Sequence, residues 1–216
     1  MRFPTPARPE SAAALAALVD HVFLSPAATT DEVSGAATEA ANFGCAAVCV
    51  SPARLPLETS VTVCAMVGYP AGTHAPEVKS AEAAYAVIGG AAEIEMVVDH
   101  GLVKAGAWTD LEDEIALVRG ACGEALLKVV VEGVWLTDDE MTRSAEAAGR
   151  AGASYVVTSA DYRAVRLIRD VVGDELGVKV SGISTAAQAL SSIDAGASRI
   201  GSDQTGALLR SFDATR

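Results

Sequence analysis

One unit recurs along this chain: an Ala-rich amphipathic stretch, a glycine among small neighbours, then a short apolar run. "AANFGCAAVCV", "VIGGAAEIEMVV", "AGRAGASYVVT" and "DAGASRIGS" are four copies of it. A glycine just past a helix adopts the left-handed conformation and turns the chain back tightly, so the unit reads helix, short loop, parallel strand. Filling the gaps between copies gives eight strands, around residues 19–24, 46–50, 61–67, 93–98, 125–131, 154–158, 177–180 and 199–201. Helical patterns are expected to begin near Thr30, Ala75, Asp110, Thr137, Asp161, Thr185 and Asp203. Two open on good caps, Thr29 and Thr30 before Asp31-Glu32 and Thr137 before Asp138-Asp139-Glu140. "SPARLPLETS" is the weakest helix, restricted by Pro52 and Pro56.

Eight such units in 216 residues predict an α/β fold, a single (β/α)8 TIM barrel of parallel strands occupying residues 1–216. A short Pro/Ala-rich extension over about residues 1–12 precedes it. A doubly wound open sheet is the alternative, but no G-x-G-x-x-G follows the first strand.

Composition narrows the function. A net charge of −12 argues against nucleic acid and anionic membrane as partners, because both need basic patches. No apolar run reaches the ~18 residues of a membrane span, and "MRFPTPARPE" lacks the apolar core of a secretory signal. Cys45, Cys49, Cys64 and Cys122 form no C-x-x-C pair, and three sit in apolar surroundings, which reads as reduced thiols of a cytoplasmic protein.

Alternate strand residues face a barrel's interior, and barrel active sites form at the C-terminal strand ends. In "EIEMVVD" the apolar Ile94, Met96 and Val98 suit the helix side, which turns Glu93, Glu95 and Val97 inward. The same argument turns Lys128, Val130 and Glu132 inward from the fifth strand, and Lys179 and Ser181 from the seventh. With Asp20 early in the first strand, one interior gathers Asp20, Glu95, Lys128 and Lys179. Buried charges must pair or shift their pKa values. A structural salt-bridge cluster is the plain reading. Two neighbouring lysines also depress each other's pKa, which frees a neutral amine as nucleophile and favours chemistry.

These residues and their surroundings resemble the deoxyribose-phosphate aldolase family, class I aldolases that use a lysine Schiff base on a (β/α)8 barrel. The likeness runs from "VDHVFLSPAATTDEV" through "AAVCVSPARL", "VGYPAGTHAPEVKSAEA", "EIEMVVDHGLVKAG", "LLKVVVEGVWLTDDE" and "VKVSGISTAAQAL" to "ASRIGSDQTG". The resemblance implies that Asp20 matches the first-strand Asp, Cys49 the second-strand Cys, Lys128 the fifth-strand Lys, and Lys179 the seventh-strand Lys that perturbs the Schiff-base lysine. Glu95 stands where the family has the Asp of its proton relay. The family's sixth strand reads Val-Lys-Thr-Ser-Thr-Gly, and its Lys is the nucleophile. Here the stretch is Val156-Val157-Thr158-Ser159-Ala160-Asp161, so Val157, with no lone pair, takes that place.

The phosphate loops differ too. The loop after the sixth strand is cut to "ADYRAV", Ser-Gly-Gly after the seventh has become "SGIST", and Asp203 and Gln204 replace serines after the eighth. A carboxylate ~4 Å from a phosphate repels it by roughly a few kcal/mol per charge pair at intermediate dielectric. Arg163 and Arg166 are the cations near enough in sequence to offset it.

The expectation is therefore an aldolase-like lyase acting on a small non-phosphorylated carbonyl compound, with Lys179, Lys128, Glu95 and Asp20 as catalytic groups. Its sharper form relocates the Schiff base to Lys179; its plainer form, a cyclase or isomerase, uses only acid–base groups. Cys49, Tyr69, Thr158, Ser159, Tyr162, Ser181 and Asp203 are the expected substrate contacts, and Trp108 and Trp135 stand after strands four and five. A non-catalytic or regulatory paralogue is the alternative. His21, Asp99 and His100 are conceivable metal ligands but lack any ligand spacing, so no metal and no cofactor is expected. The resemblance implies a homodimer.

Overall fold

The computed structural model describes residues 2–212; Met1 and residues 213–216 of the expected 1–216 domain lie outside the described residues. Eight strands close into a barrel in sequence order: β1 (Val19–Phe23), β2 (Ala47–Val50), β3 (Thr62–Val67), β4 (Glu93–Val97), β5 (Leu126–Val130), β6 (Tyr155–Ser159), β7 (Gly177–Ser181) and β8 (Arg199–Ser202). Every pairing is parallel, and β8 returns to β1 with Asp20 opposite Gly201.

The helices are α1 (Ala12–Ala16), α2 (Thr30–Phe43), α3 (Pro76–Ile88), α4 (His100–Ala105), α5 (Trp108–Ala121), α6 (Asp138–Arg150), α7 (Tyr162–Val172), α8 (Ala186–Asp194) and α9 (Thr205–Arg210). Thr29 with Glu32, Thr137 with Glu140, and Thr185 with Gln188 form reciprocal capping boxes at α2, α6 and α8. The doubtful segment after β2 keeps one 3-10 turn, Pro52–Arg54. The run after β4, expected to be one helix, is two. Asp99 accepts from the Gly101 N–H to start α4, and Gly106, at φ 66°, ends it. No helix among the described residues is long and apolar enough to cross a membrane.

Strand alternation sorts the apolar residues into two cores. Ile94, Met96, Val98, Leu127, Val129, Val131, Val156, Val178 and Val180 pack outward under the helices. Ala47, Cys49, Cys64, Met66 and Val97 form a separate cluster inside the barrel, flanked by Val22, Leu24 and Val130. Each fully buried aliphatic chain contributes about 1.5–3 kcal/mol, so a one-residue slip of any strand would exchange the two sets at great cost.

The Pro/Ala-rich N-terminus is not a loose extension. Ser11 caps α1, and the residues before it run under the loops that enter β7 and β8. The Phe3 N–H donates to the Asp174 carbonyl (2.7 Å), and the Thr5 hydroxyl to the Gly196 carbonyl (3.2 Å). The Phe3 ring lies 4.7 Å from that of Tyr155, the first residue of β6. This segment therefore closes the N-terminal face of the barrel, opposite the face that carries chemistry in such folds.

Candidate active site

The inward residues of β1, β4, β5, β7 and β8 converge on one network of six charges. Lys128 contacts Asp20 and Glu93, each at 2.5 Å, and lies 4.0 Å from Glu95. Lys179 contacts Glu95 at 2.5 Å and Asp20 at 2.8 Å. Arg199 reaches Asp20 at 2.9 Å and Glu93 at 3.4 Å. Both lysines and Asp20 are 0 % exposed, so water does not screen the contacts between them. Three carboxylates balance three cations.

The four expected members thus meet, and Glu93 and Arg199 complete them. Gly201 makes room for the arrangement: a Cβ there would stand 2.8 Å from the Ser181 Oγ and 3.0 Å from the Lys179 Cε.

The expectation of a neutral lysine is overturned. Burial opposes the charge of Lys179, and Lys128 opposes it too, but Asp20 and Glu95 outweigh both and raise its pKa above the ordinary lysine value. Burial likewise opposes the charge of Lys128, and Asp20, Glu93 and Glu95 more than reverse it. For Asp20, burial favours the neutral acid, yet Lys128, Lys179 and Arg199 together hold its pKa well below the usual carboxylate range. Counting one lysine neighbour without three carboxylates gave the wrong sign.

Above this network a cavity of about 340 Å³ opens at the C-terminal strand ends. Of the six charged groups, Glu95 alone lines it. The contacts of Glu95 with Lys128, Lys179 and the Cys64 thiol all use Oε2, which leaves Oε1 without a bonded partner among the described residues. Val22, Leu24, Met66, Val97, Val130 and Val157 supply apolar wall, and Trp135 and Tyr69 aromatic wall. Thr158, Ser159, Ser181 and Asp203 also line the cavity. Val157 lies across from Val130 on one side and Lys179 on the other in strand register.

Cys49 and Tyr162 do not line this cavity, which corrects their expected role as contacts. Cys49 is wholly buried within the inner apolar cluster. Tyr162 is the first residue of α7 and packs against the outer core. Trp108 is likewise off the cavity, under the Arg143 guanidinium at 5.1 Å. Arg163 pairs with Asp138 on the surface, and neither it nor Arg166 lines the cavity.

His100 and Glu132, each considered from sequence but not among the expected contacts, do line it. The Glu132 N–H donates to the His100 Nε2 at 3.2 Å, and burial lowers the His100 pKa, keeping the imidazole neutral. A buried pair fixes this loop: Lys79 donates to the Val97 carbonyl (2.9 Å) and Glu114 (2.5 Å), and Glu114 accepts from the Asp99 N–H (3.1 Å).

His21, Asp99 and His100 do not form a metal centre: His21 bonds the Thr205 hydroxyl (2.9 Å), and Asp99 caps α4. Cys49, Cys64 and Glu95 have donor atoms within 4.8 Å of one another. The hydrogen bond with Cys49, and then burial, push the Cys64 thiol pKa well up, and two ammonium groups stand at Glu95, so a cation is disfavoured there.

A closed parallel barrel with acid–base groups at the foot of a cavity on its C-terminal face has the construction of a (β/α)8 enzyme. No protein-family model matches the chain. It is 47% identical over 214 residues to the deoxyribose-phosphate aldolase of Mycobacterium avium, covering 91% of this chain and 96% of that one. With the deoxyribose-phosphate aldolase of Kocuria rhizophila it shares 42% over 213 residues, covering 93% and 98%. Among solved structures, the tetrameric deoxyribose phosphate aldolase of Aeropyrum pernix superposes with a TM-score of 0.87 at 27% identity, over 97% of this chain and 95% of that one. The aldolase QR15 superposes equally well, 0.87 at 28%, over 93% and 96%. The chain belongs to the deoxyribose-phosphate aldolase family.

Proposed function

We propose that this protein is a diverged enzyme of the family that performs acid–base chemistry on a small carbonyl compound without a phosphate and without the usual Schiff base. The observation that carries this reading is Val157. It lies on the cavity wall, at the position where the resemblance implies the nucleophilic lysine. The remaining inward lysines do not replace it readily, because each would have to lose its proton and leave one excess negative charge among three buried carboxylates. Relocation of the Schiff base to Lys179 is therefore the weaker form of the proposal.

Glu95 is the group best placed to act. Its free Oε1 accepts a proton from the carbon beside a substrate carbonyl; the C–H electron pair becomes the new C=C bond and the carbonyl π pair moves onto oxygen, giving an enolate. Ser159 and Ser181 line the same cavity and offer hydroxyl donors to that oxygen. Lys179 holds Glu95 in place through Oε2.

Two measurements on the purified protein test the reading. Deoxyribose 5-phosphate cleavage should be absent or very weak, and borohydride reduction with a small aldehyde should leave Lys128 and Lys179 unmodified by mass spectrometry. An adduct on Lys179 would support relocation instead, and strong turnover of deoxyribose 5-phosphate would defeat the proposal. Glu95→Gln, once a turned-over carbonyl compound is found, should lower kcat by about 10²-fold or more.

A further inference from the structure

The charges around the cavity disfavour an anionic substrate and point to the opposite sign. Its lining carries three carboxylates, Glu95, Glu132 and Asp203, and neither Lys nor Arg among the described residues. The network cations lie beneath it, matched three against three by Asp20, Glu93 and Glu95, so they contribute little net field at the mouth. What remains is the rim. Glu132 follows β5 and Asp203 follows β8, and neither side chain has an ion pair or hydrogen bond among the described residues. His100, kept neutral by burial, gives Glu132 no compensating charge.

Two further observations give the cavity a direction. At its foot, Glu95 is 1 % exposed, and its Oε1 has no bonded partner. At its mouth, Trp135 is 58 % exposed beside Glu132 and offers a ring face suited to a cation. Between the two, Val22, Leu24, Met66, Val97, Val130 and Val157 make much of the wall apolar. An apolar body fits this space, and whether its outer end lies toward β5 or β8 it meets an uncompensated carboxylate.

We propose that the cavity takes a carbonyl substrate whose outer end is an ammonium group, compensated by Glu132 and Asp203. The inference rests on the reading that the substrate carries no phosphate, and extends it by fixing the sign of the charge at that end. The carbonyl end then reaches Glu95 and the two serines, while the cation stays at the rim.

Three probes of one length decide it: pentan-2-one substituted at carbon 5 with trimethylammonium, hydroxyl or phosphate, titrated calorimetrically into the whole protein. The ammonium probe should bind about tenfold or more tighter than the hydroxyl probe, and the phosphate probe weakest of all. That preference should shrink several-fold in Asp203→Asn or Glu132→Gln, and again at high salt, while the hydroxyl probe changes little. Equal binding of the ammonium and hydroxyl probes would overturn this inference and leave the non-phosphorylated reading standing. Tightest binding of the phosphate probe would overturn both. Failure of all three to bind, or an ammonium preference untouched by either substitution, also counts against the inference.

Discussion

Val157 is the residue on which the proposed divergence from the family's chemistry rests. It is 2 % exposed, lies between Val130 and Lys179 in register, and touches the cavity. A lysine at this position would bring its amine to the cavity wall, at the place where the resemblance implies the Schiff base forms. Val157→Lys should therefore gain a borohydride-trappable adduct at residue 157 with a small aldehyde, absent from the parent protein. A folded variant that gives no adduct would mean that the cavity does not present a carbonyl to this strand. Residue-level reading of the sequence succeeded where alternation governs: Asp20, Glu95, Lys128 and Lys179 were legible as inward groups because their neighbours are aliphatic. It failed where partners had to be counted. Glu93 opens β4, and only the closed barrel brings it against Lys128, where with Asp20 and Glu95 it reverses the sign of that lysine's shift; Asp20 and Glu95 do the same for Lys179.

At the scale of elements, β7 and β8 carry the tightest requirement. Lys179 crosses the barrel only because Gly201 leaves the neighbouring strand bare. Gly201→Ala places a methyl against the Ser181 hydroxyl and the Lys179 stem, and should destabilise the protein by about 1–3 kcal/mol, read as a lower urea midpoint at constant m-value. No loss of stability would mean that Lys179 has room the contacts do not suggest. The strands and capped helices were readable because period, glycine and cap signals agree. The split into α4 and α5 was not, since Asp99 and Gly106 act as stops only in the conformations they adopt. Tyr162 was misplaced for a related reason: a residue that opens a helix turns with that helix, and α7 carries this one toward the core. The aliphatic cavity wall was visible as strand residues, but apolar side chains give no sign of lining a site.

Across the whole molecule, the buried network sets how stability depends on pH. Asp20 titrates lower in the folded chain than in the unfolded one, so its contribution is present above pH ~3.9 and is lost as pH falls toward its folded value. Lys128 and Lys179 titrate higher when folded, so theirs is present below pH ~10.4 and is lost as pH rises through their folded values. Melting temperature against pH should thus show a plateau with a fall on both flanks. A rise in stability from neutrality down to pH ~3 would contradict the pairing of Asp20.

The N-terminal segment has a practical counterpart. Phe3 and Thr5 are bonded beneath the loops that enter β7 and β8, while the cavity opens where the strands end. A protein anchored to a bead or fused to a partner through its amino end would stand with its mouth toward the solution.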